Sequence, residues 1–330
     1  MNKRQHIAVT GATGFLGQHL CARLLGEGRQ LSVLARDRLK GDTYRDRADR
    51  IVIGDIADSG AVAELVSGAD AVIHLVSNFR TASGPPESYH RVNVLGTRTV
   101  LEACREAGVG RLIHCSTIGV HGDVRSTPAN ESSPFNPGDL YQETKLEAEE
   151  LVRAAAAQSP PDIVIVRPCS MYGPGDMRML KMFKMLSKRV FFLVGPCAEN
   201  FHAVYIDDVV DGFVQILDRD GLAGETFIIG GDRYLSLKDY IGVVAEAVGA
   251  PPPFLKFPYW LFNGAAAACE TVCVPFGIEP PLHRRRVRFY RNNRAFDIGK
   301  ARSVLGYAPQ VSLEEGMRRT VSWYRENGYL

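Results

Sequence analysis

The sequence has no excess of charge of either sign and few cysteines for its length. Lysine and arginine total 39 and aspartate and glutamate 37 among 330 residues. This balance gives no reason to expect nucleic acid or an anionic membrane as the main partner. The cysteines number seven and form no CxxC pair, so they predict neither a disulfide framework nor a metal site. We therefore expect a reduced, cytoplasmic setting and no bound metal.

Long hydrophobic runs are also missing. A helix that spans a membrane needs about 18 or more nearly uncharged apolar residues. The best candidate begins at Phe257 and contains Pro258, Asn263 and Gly264. The charged residue Glu270 ends this run before it is long enough to span a membrane. The opening MNKRQHIAVTGATGFLG leads into a glycine motif rather than an apolar signal segment. We expect neither a membrane span nor a secretion signal.

The first half of the chain instead alternates short apolar runs with helical patterns. Runs such as AVIHLV and IVIV are apolar on both faces, as in strands that helices cover on both sides. Strict alternation predicts βαβ units, a parallel sheet and right-handed crossovers. The predicted strands are His6–Thr10, Gln30–Ala35, Arg50–Gly54, Asp70–Leu75, Arg111–Ser116 and Ile163–Arg167. The predicted helices are Phe15–Glu27, Asp58–Ser67, Tyr89–Ala107 and Asp139–Gln158.

After Pro168 the loops become richer in proline and glycine, and helical patterns predominate. One further strand, Thr226–Ile229, is predicted to return to the main sheet. The fold class is therefore α/β, a doubly wound parallel sheet with a smaller, mostly helical C-terminal cap over the carboxyl ends of the strands. The predicted boundaries are 1–168 with a return segment at about 203–232 for the sheet domain, and 169–202 with 233–330 for the cap.

Three glycines stand between the first strand and the first helix. In TGATGFLG, Gly11 permits a tight turn, Gly14 lets backbone N–H groups approach a pyrophosphate, and Gly17 allows close packing of helix on strand. Because this triplet opens a βαβ unit, it predicts a dinucleotide cofactor. Thr13, Phe15 and Leu16 belong to the same turn and complete this part of the predicted cofactor site.

The end of the second strand bears on which dinucleotide binds. An arginine at this point accepts a 2′-phosphate, whereas a carboxylate binds the ribose diol of NAD. Arg36 occupies the position and Asp37 follows, so NADP is favoured and NAD stays possible. Asp55, after the third strand, is expected either to meet the adenine amino group or to cap the next helix.

Tyr141 and Lys145 lie four residues apart in PGDLYQETKLEAEELV, on one face of a predicted helix. A tyrosine can move a hydroxyl proton if its pKa is pulled down from about 10 toward neutrality, which a nearby ammonium favours. Ser116 and Thr117 follow the fifth strand, at the same edge of the sheet as the glycine turn. We expect Thr117, with Ser116 as the reserve, to hold a substrate oxygen beside the tyrosine.

Several motifs occur together along the chain: TGATGFLG, HLVS, VNVLGT, CSTIGVHG, YxxxK, RPCSMYGPGD, VYIDDVVDG and AFDIGKARSVLGYAP. In this order they resemble the extended short-chain dehydrogenase/reductase family. That family includes NAD-dependent epimerase/dehydratases and 3-beta-hydroxysteroid dehydrogenases. The resemblance covers nearly the whole chain and implies a Rossmann-type sheet with a helical substrate domain.

The resemblance also implies roles for particular residues. Thr117, Tyr141 and Lys145 take the catalytic positions, and Lys145 also holds the nicotinamide ribose. Asn93 is expected to order the proton relay, with a buried structural asparagine as the alternative. A homodimer through the helices Tyr89–Ala107 and Asp139–Gln158 is expected. The remaining predicted cofactor contacts are Ile56, Leu75, Val76, Ser116, Pro168 and Ser170, and the remaining predicted substrate contacts are Ser77, His121, Ser170 and Met171.

Two positions at which this chain departs from the family's pattern bear on the substrate class. Members that act on nucleotide sugars usually carry an asparagine where this chain has Ser170, and an arginine where it has Phe201. The arginines from Arg284 to Arg291 offer another phosphate site, or a solvated helix face. The apolar stretch beginning at Phe257 could line an apolar pocket, form ordinary core or, beside the arginines, touch a membrane surface. We expect a small-molecule alcohol or ketone on a hydrophobic or amphiphilic skeleton, such as a steroid or isoprenoid, with a sugar nucleotide as the alternative.

Three functional classes remain open at this stage. The first is net hydride transfer, and the second is epimerisation with transient hydride transfer. Ile118 and Gly119 stand where a dehydratase would carry an acid/base pair, which argues against dehydration. The third class, a non-catalytic module that senses NADP, would be expected to lack the tyrosine or the lysine.

Overall fold

Seven parallel strands form one twisted sheet at the centre of the protein. The computed structural model describes residues 5–79, 85–157, 161–273, 282 and 284–330. The strand order is β3-β2-β1-β4-β5-β6-β11, with every neighbouring pair parallel. This order confirms the predicted doubly wound α/β fold class. The sheet strands are β1 (His6–Thr10), β2 (Gln30–Ala35), β3 (Arg50–Ile53), β4 (Ala71–His74), β5 (Arg111–Cys115), β6 (Asp162–Pro168) and β11 (Thr226–Ile229).

Helices cover both faces of this sheet, which is why its strands are apolar on both sides. On one face α3, α5 and α6 pack side by side, and on the other α1 packs on α8. The helices are α1 (Phe15–Gly26), α2 (Arg38–Gly41), α3 (Ser59–Val66), α4 (Pro86–His90), α5 (Gly96–Glu106), α6 (Leu140–Ala156), α7 (Leu180–Ser187), α8 (Ile206–Asp218), α9 (Leu237–Val248), α10 (Tyr259–Cys273), α11 (Arg284–Arg288) and α12 (Leu313–Glu326).

The second half of the chain adds short strands and helices beside the sheet. Helices α7 and α12 both pack on α9. The short strands in this half of the chain pair as β7 with β10, β8 with β13 and β9 with β12. One continuous apolar core joins this part to the sheet, and the predicted domain boundaries stay predictions. The short strands are β7 (Ser170–Tyr172), β8 (Leu193–Val194), β9 (Asn200–Phe201), β10 (Ala203–Tyr205), β12 (Leu235–Ser236) and β13 (Lys256–Phe257).

The helix ends differ slightly from the predicted ones, for local reasons. Asp58, not Asp55, caps α3 by accepting the N–H groups of Gly60 and Ala61, so the capping alternative for Asp55 is wrong. The helix predicted from Tyr89 begins at Pro86, and a π-turn at Arg91–Leu95 joins α4 to α5. Gln158, the predicted last residue of another helix, lies outside the described residues. Among the helices that are described, none is both long and apolar enough to cross a membrane.

Candidate active site

The glycine turn lies where strand order reverses, between β1 and β4, which is the usual ligand crevice of doubly wound sheets. Gly11 has a φ of +75°, a conformation that favours glycine. A Cβ on Gly11 would stand 2.9 Å from the Val76 nitrogen, and one on Gly17 would stand 2.1 Å from the Gly11 oxygen. These two glycines let the turn pack closely on its own backbone, and the exposed Gly14 presents bare backbone at the N-terminus of α1, as a pyrophosphate requires.

A buried histidine fastens the carboxyl ends of β1 and β4 together. The Thr97 hydroxyl donates to the Asn93 carbonyl at 2.6 Å, so it can only accept from the His74 Nε2–H at 3.1 Å. His74 Nδ1 then accepts from the Thr10 hydroxyl at 2.7 Å. Burial and the charge of Lys145 lower the pKa of His74 to about 3. His74 is thus a neutral structural link behind the glycine turn.

Tyr141 and Lys145 share one face at the start of α6, where Asp139 caps the helix. The Tyr141 side chain is 7% exposed and Lys145 is 1% exposed. Lys145 Nζ donates to the Cys115 carbonyl at 2.7 Å, and burial lowers the lysine pKa. The part of the chain that the structure describes offers no acceptor to the other two Nζ–H groups. This buried and under-satisfied cation fits the ribose hydroxyls of a dinucleotide.

The two hydroxyls after β5 have different surroundings. Thr117 Oγ1 accepts the N–H of Gly119 at 3.0 Å, which leaves its O–H free to donate to a substrate oxygen. The Ser116 hydroxyl donates to Glu149 Oε2 at 2.6 Å, and the Ser116 backbone N–H donates to the Val166 carbonyl. Thr117 is therefore better placed than Ser116 to hold a substrate.

Beneath helix α6 lies a charge network that the sequence did not indicate. Fully buried Arg167 donates Nε and Nη2 to the two oxygens of buried Glu149, at 3.0 and 2.5 Å. Burial alone would raise the pKa of Glu149, but hydrogen bonds and charge from Arg167, with help from Ser116 and Arg153, lower it overall. These residues are distant in sequence and no local spacing marks them. The network links the end of β5, strand β6 and helix α6 beside Thr117.

His121 belongs to this network rather than facing a substrate. Arg167 Nη1 is always a donor, so His121 Nε2 accepts from it at 2.8 Å. Nδ1–H then donates to the Pro134 carbonyl at 3.2 Å. The ring is 1% exposed, and burial together with the charge of Arg167 lowers its pKa to about 4. With both nitrogens occupied, His121 does not support the predicted substrate contact.

Asn93, in the π-turn, cross-links the loop after β4 to helix α6. Its Oδ1 accepts the N–H of Asn78 at 2.7 Å, and its Nδ2 donates to Thr144 Oγ1 at 3.0 Å. The Thr144 hydroxyl proton goes to a backbone carbonyl of the same helix. This geometry supports the structural alternative for Asn93, and a role in the proton relay stays a prediction.

Two aromatic residues and an arginine stand over the tyrosine and the glycine turn. The Phe79 ring meets Tyr141 edge-on at 4.9 Å between centroids. The Arg178 guanidinium lies 5.1 Å from the Phe15 centroid and 5.8 Å from that of Phe79. Asp176 Oδ1 accepts a hydrogen bond from Arg178 Nε at 2.7 Å. Neither Phe79 nor Arg178 is among the predicted site residues, and for Arg178 the only signal in the sequence is its place just after the YGPGD motif.

The remaining predicted cofactor residues lie along the same edge of the sheet. Arg36 is exposed directly after β2, while Asp37 caps α2 by accepting the N–H of Lys40. Asp55 accepts from Ala57 N–H and from Arg91, and its contact with adenine stays a prediction. Leu75 and Val76 follow β4, Pro168 ends β6, Ser170 and Met171 lie in β7, and Ile56 is buried behind β3.

The Ser77 hydroxyl is a second polar group that is suited to contact a ligand. Its hydroxyl is buried, yet within the described ranges it has no hydrogen-bond partner. Buried polar groups are normally paired, and this one follows β4 beside the glycine turn. This geometry is consistent with the predicted substrate contact at Ser77, which stays a prediction.

The neutral histidines make an acid-sensitive fold. His74 and His121 have pKa values of about 3 and about 4, below the usual 6.5. Between pH 6.5 and about 4 the unfolded chain binds protons that the folded protein does not, so stability is full above pH 6.5 and falls with acidification. We expect the free energy of unfolding to drop by up to about 1.4 kcal/mol per pH unit for each histidine, measured by urea unfolding at pH 7, 6 and 5.

A histidine substitution separates this effect from titrating carboxylates. His121→Gln keeps an acceptor for Arg167 and cannot titrate, so its stability should fall less steeply than that of the wild type. The exposed His90 supplies the matched control, His90→Gln, with an unchanged slope. Equal slopes in the wild type and His121→Gln would contradict the assignment.

Comparison with known proteins identifies relatives over nearly the whole chain. Residues 7–230 match the model of the NAD dependent epimerase/dehydratase family. The 2-alkyl-3-oxoalkanoate reductase of Stenotrophomonas maltophilia is 32% identical, over 95% of this chain and 97% of its own. The UDP-glucose 4-epimerase of Mycolicibacterium smegmatis is 30% identical, over 96% and 97%. The crystal structure of a dTDP-glucose 4,6-dehydratase from Streptomyces venezuelae, with NAD bound, superposes with a TM-score of 0.79 at 29% identity over 98% of each chain.

Proposed function

This chain belongs to the NAD-dependent epimerase/dehydratase family of extended short-chain dehydrogenases, and on that premise we propose that it is an NADP(H)-dependent dehydrogenase or reductase. Membership makes it an oxidoreductase or epimerase that uses a nicotinamide nucleotide. The proposed reaction interconverts a secondary alcohol and a ketone on a hydrophobic or amphiphilic molecule. The observation that carries it is the buried, under-satisfied Lys145 one helical turn from Tyr141.

The proposed chemistry divides the work among three side chains. Bound NADP(H) would supply or accept the hydride at the substrate carbon. Tyr141 donates its phenolic proton to the ketone oxygen in reduction and takes it back in oxidation. The Thr117 O–H holds the same oxygen, and the Lys145 ammonium favours the phenolate.

The preference for NADP is supported at the end of β2. Arg36 is exposed there and makes no ion pair with any residue in the described ranges. Asp37, the residue that would favour NAD, is engaged as the cap of α2. An arginine with a free guanidinium is suited to bind a 2′-phosphate.

Arg36→Ala should weaken NADPH binding and leave NADH binding unchanged. Losing a charge-assisted contact with the 2′-phosphate costs about 1.5–3 kcal/mol, which corresponds to about a 10- to 100-fold higher Kd for NADPH. Titration followed by nicotinamide fluorescence measures both cofactors. Arg38→Ala, two residues along in α2, is the matched control and should change NADPH binding by less than about threefold.

The same titration separates the two reaction classes. A dehydrogenase exchanges its cofactor freely, whereas an epimerase regenerates its cofactor and benefits from retaining it. Wild-type protein that prefers NADH, or that keeps NAD through dialysis, would overturn the proposed NADP-dependent reductase in favour of the epimerase.

The hydrophobic substrate is supported by two features. Phe201, where nucleotide-sugar enzymes usually carry an arginine, is buried, with its ring 4.5 Å from Tyr240 and 5.7 Å from Phe289. Phe79 puts an apolar ring directly against Tyr141. A 2-alkyl-3-oxoalkanoate, the substrate that the Stenotrophomonas relative's name gives, is the first ketone to assay. The nucleotide-sugar alternative is supported by the Mycolicibacterium epimerase. Of the arginines predicted as another phosphate site, Arg285 and Arg286 have side chains that lie outside the described set.

Two further expectations stay predictions. The homodimer would form through α5 and α6, which pack together and enclose a surface groove lined by Arg98, Leu101, Glu102 and Leu151 among others. The cytoplasmic location rests on composition and cysteine usage alone.

A further inference from the structure

Helix α10 and the segment before it present apolar side chains to solvent. Of the fifteen residues in this helix, only Ala266 is buried. Phe254 is 82% exposed, Trp260 73% and Val272 64%. Large apolar residues exposed in one cluster mark an interaction site, whereas scattered ones are ordinary. We call this cluster the α10 face: Phe254, Leu255, Phe257, Trp260, Leu261 and Val272.

The solvent side of the helix carries no charge. The spacing of its exposed residues, at one, three and four positions, puts them on one side of the helix. The only charged residue of α10 is Glu270, which is partly buried and accepts the backbone N–H of Arg284 at 2.8 Å. A surface helix normally places charged residues outward. The exposed members are Trp260, Leu261, Gly264, Ala265, Ala268, Thr271 and Val272.

Helix α10 and strand β13 pack against neighbouring elements of the protein. Phe192, which precedes β8, packs on Phe257 and Phe262, with ring centroids 5.3 and 5.1 Å apart. Strand β13 pairs with β8, and the Arg291 guanidinium lies 4.8 Å from the Tyr259 ring. The outward direction of Trp260 and Leu261 is therefore set by packing on the opposite side of the helix.

Positive charge borders this apolar surface. Lys256 lies between two members of the face, and Lys188 and Arg189 lead into the paired strand β8. No aspartate or glutamate occurs from Met177 to Ala198. Glu270 is engaged by Arg284. None of the residues named in this paragraph therefore supplies a free carboxylate. We call Lys188, Arg189, Lys256, Arg288 and Arg291 the basic rim; all five are exposed.

We propose that the α10 face rests on the surface of an anionic lipid bilayer. Its apolar side chains would enter the boundary between headgroups and acyl chains, and the basic rim would face lipid phosphates. A second copy fits less well, because a two-fold contact through this face would bring basic rim against basic rim. The inference concerns where the protein sits and does not depend on the proposed reaction.

The chain contains two tryptophans, which makes the test direct. Trp323→Phe leaves Trp260 as the sole tryptophan, so selective excitation of tryptophan reports on that residue. With vesicles of phosphatidylcholine and phosphatidylglycerol, its emission should shift to shorter wavelength and be quenched by lipids brominated on their acyl chains. The Trp260→Phe variant, which reports only on Trp323, should show neither effect.

Sedimentation with the same vesicles measures binding of the full-length wild type. The double variant Trp260→Asp, Leu261→Asp should bind at least about tenfold more weakly. Leu39→Asp, at a residue 87% exposed outside the face, should bind like the wild type. Binding should also weaken in high salt and with vesicles of phosphatidylcholine alone. Absence of the spectral shift, unchanged binding of the double variant, or a shift that depends on protein concentration without vesicles would overturn the proposal, the last in favour of self-association.

Discussion

Replacing Tyr141 with phenylalanine is expected to lower turnover on the order of a thousandfold while nicotinamide binding is retained. The change removes only the hydroxyl that moves the substrate proton, and positioned acid–base groups contribute about 10²–10⁴ in rate. The ring, its edge contact with Phe79 and the buried Lys145 all remain. Turnover is followed as NADPH oxidation with the 2-alkyl-3-oxoalkanoate, and binding as nicotinamide fluorescence.

A second tyrosine controls for nonspecific effects. Tyr329 stacks on Trp323 near the C-terminus, so Tyr329→Phe should turn over at the wild-type rate. Normal turnover in Tyr141→Phe would exclude Tyr141 as the acid–base group. Wild-type protein that binds NADPH tightly but turns over none of the alcohols, ketones and nucleotide sugars supplied would favour the cofactor-sensing module instead.

Replacing Arg167 with methionine is expected to destabilise the fold by about 3–5 kcal/mol. Removing the buried partner of a buried charge leaves that charge without its main compensation. Here Glu149 is fully buried and would lose both of its bonds to Arg167, while His121 would lose the donor to its Nε2. Urea unfolding at pH 7 measures the change in the free energy of unfolding.

The same carboxylate supplies its own control. Arg153 also bonds Glu149 Oε1, at 2.9 Å, but its side chain is 40% exposed. Because a half-exposed pair contributes little, Arg153→Met should cost less than about 1 kcal/mol. The double variant Glu149→Gln, Arg167→Met should be more stable than Arg167→Met alone. Equal losses for Arg153→Met and Arg167→Met would contradict this account.

Much of the sheet domain was predictable because its signals are local. Strands β1 and β2 have the predicted bounds, and β3 to β6 differ by one residue at one or both ends. A buried parallel strand must be apolar on both faces, and a chain that alternates such runs with helical periodicity has few ways to bury them. The glycine turn is equally local, since a Cβ at Gly11 or Gly17 would strike neighbouring backbone.

The site was only partly predictable. Tyr141 and Lys145 are one helical turn apart, so their proximity follows from helix geometry alone. The partners of His121 and Asn93 did not follow in the same way. Arg167 is 46 residues from His121, and Thr144 is 51 from Asn93, and no periodic pattern links such positions.

The sequence by itself determined the strand and helix alternation, the glycine turn and the spacing of Tyr141 and Lys145. All three depend on interactions within one element or one βαβ unit, which repeat with a fixed period. Tertiary structure alone decided that Glu149 and Arg167 share a buried network, that Arg178 lies over Phe15 and Phe79, and that Trp260, Leu261 and Val272 of α10 are exposed. Those outcomes depend on which distant surfaces meet when the layers pack, and an apolar residue in the sequence looks the same whether another element covers it or not.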